Sequence, residues 1–87
     1  MNTSEQIRER LAALSPVRVE IIDDSALHAG HAGARDGGGH FRLTIVASAF
    51  AGHATMARHR MVHQALGDLM RGPIHALSIQ ARTPDEV

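Results

Sequence analysis

Histidines are the residues in this chain best suited to chemistry, and three of them share one glycine-rich stretch. His28, His31 and His40 lie in "HAGHAGARDGGGHF", residues 28–41. Imidazole is a good ligand for zinc, copper or iron, and glycine lets the backbone wrap around an ion. The spacing of the three histidines matches no standard zinc signature. The stretch therefore predicts either a metal-binding loop or a solvated loop without chemistry.

A fourth histidine, His75, stands at the start of a predicted strand, directly after a Gly-Pro break. Strand alternation assigns it to the apolar face with Leu77, so the residues alone favour a packed core histidine over one that faces a cleft. His59 and His63 are four apart on a predicted helix but have no adjacent carboxylate of the metalloprotease type. For His59, packing within the helix is the favoured interpretation.

The remaining residue types argue against catalysis. The sequence contains no cysteine, which excludes disulfides, thiol nucleophiles and any iron–sulfur cluster held by the chain's own thiolates. No serine lies in a nucleophile elbow, and no glycine-rich stretch has the setting of a nucleotide-binding fingerprint. The adjacent Asp23 and Asp24 point to different sides of an extended chain, which makes them a poor acid–base pair. The sequence therefore predicts a protein that is not an enzyme.

Charge and apolar content limit the partners. All nine basic residues are arginines, and nine acidic residues balance them, so the chain lacks a strong field that would attract phosphate. Arg60, Gln64 and Arg71 form a polar stripe on the second helix that could bind a phosphate or a partner carboxylate, although such a stripe is more often a solvated helix face. The charged N-terminus and the absence of a long apolar run predict no signal peptide, no membrane contact and a cytoplasmic location.

Two helices are predicted from apolar residues at helical spacing. Thr3 and Gln6 predict a capping box for the first helix, over residues 4–14. Thr55 is predicted to cap the second helix, which Gly72-Pro73 ends.

Three strands complete the predicted fold of a single domain, residues 1–87. Alternating residues in 17–21 and 41–45 predict an antiparallel pair, and residues 74–81 predict a strand parallel to the second one. The fold class is an α/β (α+β) two-layer sandwich in α-β-β-α-β order, with both helices on one face of a three-stranded mixed sheet. The long connection 24–39 is predicted to be mobile in the isolated chain.

Four stretches in this order resemble the BolA family: "DDSALHAGHAG", "GGGHFRLTIVASAFAG", "RHRMVHQALGDLM" and "IHALSIQARTP". The most specific parts are Arg58-His59-Arg60 on the second helix and the terminal Ile74-His75-Ala76-Leu77. The resemblance covers nearly the whole chain. It implies a fold similar to the second class of KH domains, in agreement with the predicted element order.

The resemblance implies that the chain pairs with a monothiol glutaredoxin and shares a [2Fe-2S] cluster with it, for cluster trafficking or iron homeostasis. The glutaredoxin cysteine and glutathione would supply thiolates, and no cofactor is expected in the isolated chain. His75 matches the histidine ligand of the IHAL motif. The second ligand would come from the loop, where His28, His31 and His40 are the candidates.

The family also implies an alternative role, that of a DNA-binding transcriptional regulator of stress response and cell morphology. This sequence departs from KH proteins because "AGHATMA" occupies the turn where their G-x-x-G clamp would lie. DNA binding would then depend on Arg58, Arg60 and Arg71. A weak homodimer is a further association that the sequence leaves open.

Overall fold

Two helices pack against one face of a three-stranded sheet in the computed structural model, which describes residues 2–25 and 39–87. The elements are helix α1 (Thr3–Leu11), strand β1 (Arg18–Asp23), strand β2 (Gly39–Val46), helix α2 (Thr55–Leu66) and strand β3 (Ile74–Arg82). This order confirms the predicted α-β-β-α-β fold class. The structure does not describe residues 26–38. His28, His31 and most of the connection predicted to be mobile therefore lie outside the described residues.

The sheet has the order β1-β2-β3, with β1 antiparallel and β3 parallel to the central β2. Both pairings were predicted. Along β2 the side chains of Phe41, Leu43 and Ile45 are buried, whereas Arg42 is exposed. The alternation places the polar residues on the face of the sheet that the helices do not cover.

A bulge interrupts the parallel pairing near the start of β3. His75 is the extra residue, opposite the step from Gly39 to His40. As a result Ile74 is buried and Leu77 packs against the core, while His75 is exposed. The prediction that His75 shares the apolar face with Leu77 is therefore wrong, because one inserted residue shifts the alternation by a single step.

Helix α1 begins one residue earlier than predicted, and its capping box uses different residues. The Asn2 side chain accepts a hydrogen bond from the Glu5 amide at 2.8 Å, and the Glu5 carboxylate accepts one from the Asn2 amide at 3.4 Å. The predicted box of Thr3 and Gln6 is wrong because asparagine is at least as good an N-cap as threonine, and glutamate completes the box.

Helix α2 also has different ends from those predicted. Ala54 occupies the N-cap position without a side-chain hydrogen bond, and Thr55 is the first helical residue rather than the cap. The helix ends at Leu66 because Gly67 takes a positive φ of 55°, a conformation open to glycine. The predicted stop at Gly72-Pro73 lies beyond a following 3-10 turn.

The core joins both helices to the sheet and to the turn that follows β2. Its buried members are Ile7, Leu11, Phe41, Leu43, Ile45, Ala47, Phe50, Val62, Leu66, Leu69 and Ile74. Phe50 is the largest fully buried side chain among the described residues. Within the same residues, no helix is long and apolar enough to cross a membrane.

Arginines from the two helices reach the outer strands. Arg8 of α1 donates a hydrogen bond to the Val19 carbonyl of β1 at 3.1 Å. Arg58 of α2 donates one to the Ala81 carbonyl of β3 at 3.0 Å. The helices are thus tied to the sheet by polar contacts at its margins as well as by the apolar core.

Candidate functional site

Two of the predicted site residues, His40 and His75, lie side by side. Their ring centroids are 5.2 Å apart, and their planes are tilted by 50°. His40 is the second residue of β2, and His75 is the second residue of β3. Because these strands are parallel neighbours, their starts meet at the same end of the sheet, and the bulge turns His75 away from the core.

The spacing of the two rings suits a shared metal ion. Histidine nitrogens bind zinc at about 2.0–2.1 Å, and tetrahedral ligation of one ion by two imidazoles places their ring centroids about 5 Å apart. The observed 5.2 Å fits this arrangement. Among residues 2–25 and 39–87, no group of three histidine or acidic side chains could hold a metal ion. The described part of the site therefore brings two imidazole rings to a separation compatible with one shared ion.

Hydrogen bonds at the strand ends hold the backbone of this region. The Asp24 amide donates to the His40 carbonyl at 2.7 Å, and the His40 amide donates to the Ser25 hydroxyl at 3.1 Å. The Gly39 amide donates to the Pro73 carbonyl at 2.8 Å. The end of β1 and the starts of β2 and β3 are thereby joined around the histidine pair.

The residues that follow β1 form a tight turn, as the Asp-Asp-Ser sequence predicted. The Asp23 carboxylate accepts a hydrogen bond from the Ser25 amide at 2.9 Å. Hydrogen bonds from the hydroxyl and the amide of Ser25 lower the pKa of Asp23 below its ordinary value. Asp24 pairs with Arg42, whose Nε and Nη2 lie 2.6 and 3.3 Å from its carboxylate oxygens. Hence the two aspartates have separate partners.

A shallow groove of about 290 Å³ runs beside His40 on the open face of the sheet. It is lined by Asp24, His40, Phe41, Arg42, Ala76, Leu77 and Ser78. Sequence reasoning did not single out Arg42 or Ser25. A signal for Arg42 was present, because strand alternation places it two residues after His40 on the same face of β2.

The predicted nucleic-acid cluster is divided by the structure. The Arg58 side chain is only 13% exposed and donates hydrogen bonds to the carbonyls of His53 and Ala81 and to Glu86. Arg60 and Arg71 are exposed. The guanidinium of Arg58 is therefore turned inward, and two of the three predicted arginines face solvent.

The ion pair between Arg58 and Glu86 changes the acidity of this carboxylate. The Arg58 guanidinium hydrogen bonds lower the pKa of Glu86 to about 2, with a smaller contribution from the Thr83 amide. That amide donates to Glu86 Oε1 at 2.8 Å. The C-terminal turn that follows β3 is thus fixed to α2 rather than frayed.

Comparison with known proteins agrees with the fold. The BolA family model, described as BolA-like protein, matches residues 11–86. BolA-like protein 1 of Mus musculus is 47% identical over 79 residues, which cover 90% of this chain and 56% of that protein. SufE-like protein 1 of Arabidopsis thaliana, a chloroplastic/mitochondrial protein, is also 47% identical, over 94% of this chain and 24% of its own length. The chain thus spans only part of each of these relatives.

A solved structure and a bacterial relative extend the match. The BolA domain of SufE1 from Arabidopsis thaliana has a TM-score of 0.84 and 43% identity, and the alignment covers 100% of this chain and 99% of that chain. The DNA-binding transcriptional regulator BolA of Escherichia coli is 34% identical and is covered over 80% of its length. With a family model, sequence relatives and a solved fold in agreement, the chain belongs to the BolA-like protein family.

Proposed function

We propose that this chain pairs with a monothiol glutaredoxin and shares a [2Fe-2S] cluster with it, with His75 and His40 as ligands of one iron. The observation that supports the proposal is the 5.2 Å separation of the two rings. His28 and His31 stay predictions as alternative second ligands. The cluster is the cargo of the pair, so the isolated chain is expected to carry none and to catalyse no reaction.

The donor chemistry suits this role. Imidazole binds iron as a neutral ligand, and histidine ligation of one iron in Rieske centres raises the reduction potential above that of clusters with thiolates alone. The chain has no cysteine, so thiolates for the other iron would come from the glutaredoxin and glutathione. Two histidines at the end of a sheet, one exposed and one half-buried, would supply one half of a site that a partner completes.

The test is reconstitution of the complex with a monothiol glutaredoxin and glutathione. We expect a brown complex with visible circular dichroism for the wild type, and loss of iron and of the dichroism for His75→Ala. His40→Ala should shorten the lifetime of the cluster. His63→Ala, which removes an exposed histidine of α2, is the matched control and should resemble the wild type.

Two outcomes would change the proposal. If His75→Ala keeps the native spectrum and lifetime with the partner bound, the assignment of His75 as a ligand is wrong. If His40→Ala behaves as the wild type while His28→Ala or His31→Ala loses the cluster, the second ligand is the loop histidine and not His40.

Binding to DNA is the second candidate function, and the name of the Escherichia coli relative favours it. On this chain it would rest on Arg60 and Arg71, since Arg58 is engaged internally. Contacts through so few charges should be weak and salt-sensitive. A gel-shift titration at two salt concentrations tests this, and unchanged affinity after Arg60→Ala and Arg71→Ala together would rule the pair out. Arg82→Ala is the control for the loss of an exposed charge.

The cytoplasmic location and the weak homodimer are predictions that do not bear on the proposed function. The names of two Arabidopsis thaliana relatives place them in chloroplasts or mitochondria, and the cytoplasmic location of this chain stays a prediction. A weak homodimer likewise stays a prediction. Neither is needed for the reconstitution experiment.

A further inference from the structure

We infer that Ser25 is a positioning residue for His40, so that the spacing of the histidine pair depends on β1 as well as on the two strands that carry the pair. The effect on a cluster rests on the proposed function. The effect on the two histidines does not, and it can be measured in the isolated chain.

The inference starts from the way β2 pairs with the end of β1. Asp23 lies opposite Phe41 in the antiparallel register, so the next opposed residues are Asp24 and His40. In a regular hydrogen-bonded pair these two residues would exchange two backbone hydrogen bonds. Only the bond from the Asp24 amide to the His40 carbonyl is of this kind, at 2.7 Å.

The other bond of this pair comes from a side chain. The His40 amide donates to the Ser25 hydroxyl at 3.1 Å, which takes the place of a backbone carbonyl. A backbone hydrogen bond would survive most substitutions, whereas this one is removed by loss of a single oxygen atom. The last hydrogen bond between β1 and β2, next to His40, is therefore set by the identity of residue 25.

The hydroxyl of Ser25 is itself held in place. The Ser25 amide donates to the Asp23 carboxylate at 2.9 Å, and the lowered pKa of Asp23 reflects hydrogen bonding by the hydroxyl as well. The neighbouring Gly39 leaves the necessary space, because a Cβ atom there would lie 3.1 Å from the Ser25 hydroxyl and 2.8 Å from Phe41 Cζ. A larger residue at position 39 would push against both.

The contact extends to the second histidine through the backbone. Gly39, which precedes His40, donates its amide to the Pro73 carbonyl at 2.8 Å, two residues before His75. Ser25 therefore restrains His40 at the start of β2. The neighbouring Gly39 connects this start to Pro73, just before the bulge at His75. Loss of the hydroxyl should loosen the start of β2 and widen the range of distances between the two rings.

The test compares Ser25→Ala with Ser25→Thr, which keeps a γ-hydroxyl, and with Ser48→Ala, which removes an exposed serine at the opposite end of β2. In the isolated chain, Ser25→Ala should speed exchange of the His40 amide proton by roughly fivefold, as expected for loss of one hydrogen bond. It should also weaken the nuclear Overhauser effect between the two rings. Ser25→Thr should restore both measurements, and Ser48→Ala should leave both unchanged.

The complex with glutaredoxin provides the second measurement. If the pair binds iron, Ser25→Ala should shorten the lifetime of the cluster severalfold and alter its visible circular dichroism. Ser25→Thr should return both properties toward those of the wild type. A merely structural role would lower the unfolding midpoint of Ser25→Ala but leave the lifetime and the dichroism of the cluster in the folded complex unchanged.

The two hypotheses fail in different ways. Unchanged amide exchange and unchanged ring contacts in Ser25→Ala would overturn the positioning role of Ser25. A wild-type complex that never holds a cluster would overturn the proposed function, while the exchange of the His40 amide would still decide the role of Ser25.

Discussion

At the scale of single residues, the Arg58 side chain makes hydrogen bonds to three other residues. Its guanidinium reaches the His53 carbonyl at 2.7 Å, the Ala81 carbonyl at 3.0 Å and Glu86 at 2.6 Å. These contacts tie α2 to the end of β3 and to the turn that follows. Because the guanidinium is mostly buried, substitution of Arg58 would leave several acceptors without a donor.

The ion pair predicts a specific dependence of stability on acid. The pKa of Glu86 lies near 2 in the folded chain against an ordinary value of 4.5, so the unfolded chain takes up this proton first. The contribution to stability is then complete above about pH 4.5 and is lost as the pH falls through about 2. Thermal unfolding of Glu86→Gln between pH 2 and 7 should show a lower midpoint at neutral pH and a smaller decrease in acid.

The neighbouring carboxylate supplies the control for this experiment. Asp85 is exposed, and Asp85→Asn should keep the acid dependence of the wild type. If Glu86→Gln loses as much stability between pH 4.5 and 2 as the wild type does, the Arg58 ion pair is not the source of the acid sensitivity.

Sequence reasoning identified both members of the histidine pair but could not show that they meet. His40 and His75 are far apart in the chain, and their contact depends on the parallel register of β2 and β3. The sequence also could not show that Arg58 is internal. A cluster of arginines has the same sequence pattern whether its side chains face solvent or pair with acidic residues of the same chain. The acidic residue that pairs with Arg58, Glu86, is 28 positions away.

At the scale of elements, the bulge in β3 shows where strand periodicity stops being informative. Counting back from Leu77 in steps of two places His75 on the buried face, but the buried residue is Ile74. The apolar residues at 74 and 77 are three apart, which is the one trace of the irregular step in the sequence. Helix ends were misplaced for a related reason, because neighbouring residues compete for the cap positions and a shift of one residue leaves the apolar pattern intact.

The end of α2 provides a test at this scale. Gly67 has a φ of 55°, and a Cβ atom there would lie 3.3 Å from Arg10 Nη1. Gly67→Ala should cost about 1–3 kcal/mol in the free energy of unfolding, because alanine strains this backbone. Urea denaturation measures the loss, and Gln64→Ala, an exposed change on the same helix, should stay within about 0.5 kcal/mol. An equally small effect of Gly67→Ala would mean that the turn can relax.

At the scale of the whole molecule, the fold class followed from the sequence because its elements have clear periods and its three strands need one shared core. The prediction placed both helices on one face, and the core residues of α1 and α2 do pack against the same side of the sheet. What the sequence could not provide was the geometry at the strand ends, where the histidine pair lies. That geometry depends on hydrogen bonds to side chains, such as the one from the His40 amide to the Ser25 hydroxyl. Such bonds leave no periodic pattern in the sequence.

The small core predicts high sensitivity to cavities. Phe50 is 0% exposed and contacts the cluster that joins helices and sheet. Phe50→Ala should cost about 3–5 kcal/mol, a large part of the roughly 5–15 kcal/mol that stabilises a typical domain. The midpoint of urea unfolding should fall sharply. Met56→Ala is the control because Met56 is 73% exposed, and a loss for Phe50→Ala as small as that of Met56→Ala would contradict the assigned core.

The arginines on the outer strands bear on how copies of this protein behave toward one another. A sheet of three strands has two open margins, and unpaired carbonyls on such margins can recruit a strand from a second molecule and begin aggregation. Arg8 donates a hydrogen bond to the Val19 carbonyl on one margin, and Arg58 donates one to the Ala81 carbonyl on the other. The same contacts that tie the helices to the sheet therefore also oppose self-pairing, and they do so with a charged group that a neighbouring strand would have to displace.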